Sequence, residues 1–131
     1  MAKVFRTIIV CFATIMVASL AYGQDSAART ELKRTDLSGA PGMEVISSIS
    51  EYQPGEEIPR HFHHGVEMLY VLQGAMIQAP GKDPAMLATG TALMNLRDVP
   101  HAGFKVVGDQ SLKLFMVHVV DKDKPLYELV K

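Results

Sequence analysis

The sequence contains a single cysteine, Cys11, and no tryptophan, and only 7% of its 131 residues are aromatic. One cysteine excludes an intrachain disulfide and any metal site built on several thiolates. No apolar run reaches the ~20 residues that a helix needs to cross a bilayer. Charge is nearly balanced, with 13 basic against 14 acidic residues and a formal net charge of −1. No basic cluster marks a surface for nucleic acid or anionic lipid, and Lys33 with Arg34 reads as solvated surface. A glycine-rich phosphate loop is missing, and so is a sustained helical period beyond residue 23.

The start of the chain has a recognisable order. Lys3 and Arg6 are followed by an uncharged apolar stretch over residues 7–20, then by the small residues Ala21 and Gly23 before Gln24. That order is expected of a cleavable secretory signal peptide over residues 1–23, which places the protein in the periplasm or outside the cell, free of the membrane after cleavage. Cleavage would take Cys11 and two basic residues with it, moving the net charge from −1 to −3. The 108 residues that follow are enough to bury a core without disulfides. Residues 24–42 are polar and aperiodic and are expected as a flexible lead-in, ending in the turn signals Ser38, Gly39, Pro41 and Gly42. Within it, Thr30 to Lys33 suits a short strand or a helical turn equally.

Residues 43–131 read as one β domain. Met43 to Tyr52 alternates with β-branched residues, Ile58 to Phe62 is a short strand candidate disturbed by Pro59, and Val66 to Gln73 is the clearest strand. Gly65 suggests a bend or bulge. Ala75 to Ala79, Ala85 to Ala88, Thr91 to Asn95 and Ala102 to Val107 are shorter strands between glycine and proline turns. Ser111 to Val120 is long and apolar on both faces near its end, and PLYELVK offers a last strand. Many short strands with close turns predict an all-β sandwich or barrel.

Within this frame, His61, His63 and Glu67 share one parity, so an extended chain points all three to the same side. Two imidazoles and a carboxylate suit one divalent transition metal, here Fe, Mn, Ni, Cu or Zn. His64 points the other way and reads as a rim residue. Of the remaining histidines, His101 follows the Pro100 loop, where a barrel presents ligands, and is the expected partner. His118 lies in an apolar strand and is expected as a hydrogen-bonded core residue.

Gly55, His61, His63, Glu67 and Gly74 stand at every fixed position of the pattern G-x5-H-x-H-x3-E-x6-G. This resembles the first motif of the cupin superfamily. The second, G-x5-P-x-G-x2-H-x3-N, is matched at Gly90 and His101, whereas Leu96, Asp98 and Lys105 replace its Pro, Gly and Asn. The resemblance covers roughly Met43 to Val120. It implies a small antiparallel β-barrel of jelly-roll type and a metal held by His61, His63, Glu67 and His101. It further implies pairing as a homodimer, for which the Met43 to Tyr52 strand and the lead-in could supply an edge.

Quercetinase-like dioxygenases resemble this set of three His and one Glu, with Glu67 able to detach and act as the catalytic base. Dioxygenase chemistry on a small phenolic or other oxygenated molecule is the expected activity, because six methionines in the domain suggest a soft apolar interior. A non-redox isomerase or lyase and a non-catalytic binding protein are the alternatives, since one fold hosts many activities.

Overall fold

Strict two-residue alternation of burial runs through the two long strands that carry the site, and it sets the architecture. The computed structural model describes residues 29–130; the expected signal peptide lies outside them. Eleven strands follow in order: β1 (Thr30–Asp36), β2 (Met43–Tyr52), β3 (Glu57–Ile58), β4 (His61–Phe62), β5 (Gly65–Gln73), β6 (Ala75–Gln78), β7 (Ala85–Leu87), β8 (Ala92–Asn95), β9 (Phe104–Val107), β10 (Leu112–Asp121) and β11 (Glu128–Leu129). No helix occurs among the described residues.

One sheet has the order β1-β2-β10-β5-β8, a second β3-β9-β6-β7, and β11 pairs with β4. Every pairing is antiparallel. The core joins Tyr52, Leu69, Val71, Leu112, Leu114 and Met116 of the first sheet to Ile58, Ala75 and Val106 from the side of the second. Two antiparallel sheets closed face to face over one core form the all-β architecture that the strand pattern predicted and the jelly-roll barrel that the resemblance implied.

Two motif glycines have local reasons. Gly55 turns the chain at φ +92°, which a residue with a side chain rarely adopts. Gly74 lies between β5 and β6, where a Cβ would stand 2.5 Å from the Leu87 carbonyl oxygen and 2.6 Å from the Thr89 nitrogen.

Several expectations need correction. The lead-in is not flexible from Thr30 onward: Thr30–Asp36 forms β1, a fully exposed edge strand paired along β2. Consequently β2 lies between β1 and β10 and offers no free edge itself, whereas β1, from the lead-in, is the outer strand of that sheet. Ile58 to Phe62 is split into β3 and β4, because Pro59 lacks an amide hydrogen and the two halves join different sheets. Gly65 is neither bend nor bulge but opens β5, at a close approach to β10. The Ala102 strand starts only at Phe104, since Ala102 and Gly103 both have positive φ. β10 is buried on one parity and half-buried on the other, as a strand flanked on both sides. The methionines do not fill the interior: Met116 is buried, while Met68, Met86 and Met94 are each more than half exposed. Met68 and Met94 are direct partners on β5 and β8, and the parity that turns Glu67 inward turns Met68 out.

Candidate metal centre

Inward parity continues from β4 into β5, so that His61, His63, Gly65, Glu67, Leu69 and Val71 are all buried. His61, His63 and Glu67 therefore converge on the barrel interior. His101 joins them by backbone pairing. His61 and His101 exchange two N–H to carbonyl hydrogen bonds, of 3.1 and 2.8 Å, in a bridge outside the named strands.

The departures from the second motif fit this presentation. Asp98 stands where the motif has glycine and itself adopts φ +59°. Aspartate tolerates that region better than most residues. Its N–H donates to the His63 carbonyl over 2.9 Å, and its carboxylate takes the His64 Nδ1 at 2.8 Å. His64 also meets Glu128 at 3.0 Å through Nε2, and Glu128 with Asp98 raises its pKa above the usual value. This rim histidine thus ties the loop before His101 to β11. Leu96 and Lys105 are exposed, and the Leu96 carbonyl accepts from the N–H of Val99 over 3.2 Å, in the turn before His101.

Three imidazoles are set alike. His61 Nδ1–H donates to the Pro59 carbonyl (2.8 Å), His63 Nδ1–H to Leu126 (2.6 Å) and His101 Nδ1–H to Val99 (3.0 Å). A carbonyl only accepts, so each proton sits on Nδ1 and each Nε2 keeps its lone pair, the usual posture of a metal-binding histidine. His63 Nε2 and His101 Nε2 are buried without a hydrogen-bond partner among the described residues. They stand 3.4 and 3.3 Å from Glu67 Oε2. Ligands bound at about 2.1 Å in a tetrahedral shell lie about 3.4 Å apart, so these spacings suit one ion. His61, His63 and His101 bring donor atoms within 4.8 Å of one another, and with Glu67 Oε2 beside two of them the residue types suit a divalent first-row metal.

Two further residues hold Glu67. Asn95 is its cross-strand partner and donates from Nδ2 to Oε2 over 2.6 Å. His118, its partner on the other side, brings Nε2 to 3.3 Å from Oε1. His118 is fully buried as expected, but it is not hydrogen-bonded: neither ring nitrogen has a hydrogen-bond partner among the described residues. It groups instead with His63 and Glu67 as a second set of potential metal donors. Its place beside Glu67 depends on the register of β10 against β5, for which the sequence carried no signal. Asn95 likewise carried no signal, because its pairing with Glu67 depends on register.

Burial works to raise the Glu67 pKa, yet contacts with His101, His118 and His63 outweigh it and hold the carboxyl far below the usual range. His61 is pushed down to about 4, chiefly by burial. For His101 burial opposes the charge, but Glu67 and the Val99 carbonyl prevail and raise it.

Beside the cluster lies a cavity of about 100 Å³. His61, Glu67, Asn95 and His101 form its polar wall, and its apolar walls include Leu69, Phe104, Leu114 and Met116. The tail also contributes: Tyr127 packs edge-on against His61 at 5.0 Å between ring centroids, while β11 pairs with β4.

Residues 48–118 match the family model described as a cupin domain, more than half of the chain. Among solved structures, an uncharacterized conserved protein with a double-stranded beta-helix domain from Klebsiella pneumoniae is 19% identical, with a TM-score of 0.57 over 84% of this chain and 91% of that one. The DMSP lyase DddQ from Ruegeria pomeroyi is 20% identical at a TM-score of 0.53, over 66% of this chain and 43% of that one. The enzyme HppE, solved with Fe(II) and substrate, is 26% identical at a TM-score of 0.51, over 72% and 55%. The chain therefore spans less than half the length of the lyase. No curated protein matches the sequence.

Proposed function

The chain belongs to the cupin family, and from that premise we propose that it is an exported, mononuclear metal enzyme of dioxygenase type acting on a small phenolic or similarly oxygenated molecule. The observation that carries this reading is the polar wall of the cavity, where His61, Glu67 and His101 meet an otherwise apolar space. A divalent first-row ion held by His61, His63, Glu67 and His101 supplies Lewis acidity and, when it is redox-active, access to dioxygen chemistry.

The residues themselves supply binding and orientation. Leu69, Phe104, Leu114 and Met116 exclude water from the substrate body, and Asn95 fixes Glu67. A cavity near 100 Å³, of the order of the ~150 Å³ cavity that takes up benzene, suits a ligand that places about one small ring there with a polar atom aimed at the cluster.

A lyase or isomerase is the second reading. It is supported by Glu67 being the one carboxylate on the cavity wall among the described residues, and by the likeness in fold to a lyase. Oxygen consumption by metal-loaded protein with single-ring phenols decides between them. Uptake that depends on both metal and phenol is expected. Bound metal with no uptake across the panel favours the second reading.

A homodimer is part of the proposal. Met68, Tyr70 and Leu72 of β5 and Met94 of β8 leave an apolar outer face on the first sheet, and a second copy of that face would cover it.

A further inference from the structure

His118 differs from the other three histidines of the cluster in a way that bears on what it does. Each of them is pinned through Nδ1 to a backbone carbonyl, which commits Nε2 to act as a ligand. His118 has no such pin, so its proton is free to occupy Nε2. That nitrogen lies 3.3 Å from Glu67 Oε1, in contact but short of a formed hydrogen bond, whereas His63 and His101 face Oε2. The carboxylate is thus approached from two sides by different kinds of imidazole. His118 is also absent from the cavity wall that His61, Glu67 and His101 form, so it lies behind Glu67 rather than beside a substrate.

Glu67 Oε1 can only accept, which favours a proton on the facing Nε2. His118 is paired with Ile46 on β2, and Ser48, two residues on, shares its inward face one diagonal away. The Ser48 hydroxyl is fully buried and has no hydrogen-bond partner among the described residues. Buried unpaired polar groups are costly. A hydroxyl donating towards His118 Nδ1, directly or through one buried water, would relieve both groups and leave the imidazole proton on Nε2.

We infer that His118 is a positioning residue: it donates from Nε2 to Glu67 Oε1 and holds that oxygen away from the metal, so that Glu67 binds through Oε2 alone. This rests on the metal reading of the site. With Asn95 on Oε2 and His118 on Oε1, the orientation of the carboxylate is set from both strands that flank β5.

The test counts imidazoles and measures affinity. Pulsed EPR of the Cu²⁺-loaded protein is expected to show three coordinated imidazoles, in the wild type and in His118→Gln alike. Four in the wild type, or a loss of one in the variant, would make His118 a ligand and overturn the inference. Zn²⁺ affinity, measured by competition with a chromophoric chelator, is expected to fall 10–100-fold in His118→Leu and to recover most of that in His118→Gln, which keeps a donor. Unchanged affinity in folded His118→Leu overturns the inference as well. Should His118→Leu fail to fold, the imidazole count in the wild type still decides. A wild type that binds neither ion fails the metal reading itself, a different result from binding with four imidazoles.

Discussion

Asn95 Nδ2 donates to Glu67 Oε2 over 2.6 Å, between residues that are direct partners across β5 and β8. The bond joins the edge strand of the first sheet to the one carboxylate of the metal cluster. Removing the donor frees Glu67 to rotate, and outer residues of this kind typically contribute 10–100-fold to metal affinity. Asn95→Ala is expected to weaken Zn²⁺ binding about tenfold. Asn95→Asp removes the same donor and sets a second negative charge against Oε2, so it should destabilise the metal-free fold more than Asn95→Ala does. Chelator competition checks the affinity of Asn95→Ala, and urea denaturation of the metal-free variants checks the order of stability.

The histidines of the cluster set opposite pH dependences. In protein stripped of metal, His61 titrates near 4 when folded, against an ordinary value of 6.5. A depressed folded pKa means that the unfolded chain binds the proton more tightly, so the fold loses stability as pH falls from 6.5 toward 4. His101 is raised above 6.5, so its stabilising contact with Glu67 is fully present below 6.5 and fades as pH rises through its folded pKa. Glu67 adds its own loss below its ordinary 4.5. Melting temperature is therefore expected to drop on acidification from 6.5 to 4, and less steeply in His61→Gln. Metal binding follows a different rule. An imidazole binds only when neutral, so a proton on His101 competes with the ion. Zn²⁺ affinity should fall by up to about tenfold per pH unit below the His101 pKa. A flat affinity between pH 8 and pH 6 would speak against the assignment of His101 as a ligand.

Gly65 carries a packing constraint. A Cβ there would lie 2.1 Å from the Val119 carbonyl oxygen and 2.6 Å from the Val120 Cα, both on β10. Gly65→Ala must push β5 away from β10 between His63 and Glu67, and overpacking of this kind costs about 1–3 kcal/mol or more. Urea denaturation is expected to show at least that loss, accompanied by weaker metal binding because two ligand candidates lie within two residues of the displaced point.

How much of this could be read in the sequence follows from the physics of each signal. The common parity of His61, His63 and Glu67 is a local property of an extended chain, and it holds without knowledge of the fold. The all-β expectation came from short alternating runs and turn residues, which are local too, and the jelly-roll form came from the resemblance carried by the first motif. Sheet membership is not local. β1 looked like part of a flexible lead-in because its residues are polar and mixed with no clear period, and only its pairing with β2 makes it a strand. Asn95 and His118 gain their roles from register with Glu67 on opposite sides of β5, and residue spacing does not reveal register. The methionines misled for a related reason: composition counts residues and says nothing of the face on which they lie.

The central claim is that His61, His63, Glu67 and His101 hold one transition-metal ion. Its most direct test is the metal content of the purified protein after exposure to Fe²⁺, Mn²⁺, Ni²⁺, Cu²⁺ and Zn²⁺ in turn, followed by gel filtration and elemental analysis, with His61→Ala alongside. One equivalent of at least one ion per chain, lost in a folded His61→Ala, is the predicted result. A folded wild type that retains none of the five, or a His61→Ala variant that retains as much as the wild type, would contradict it.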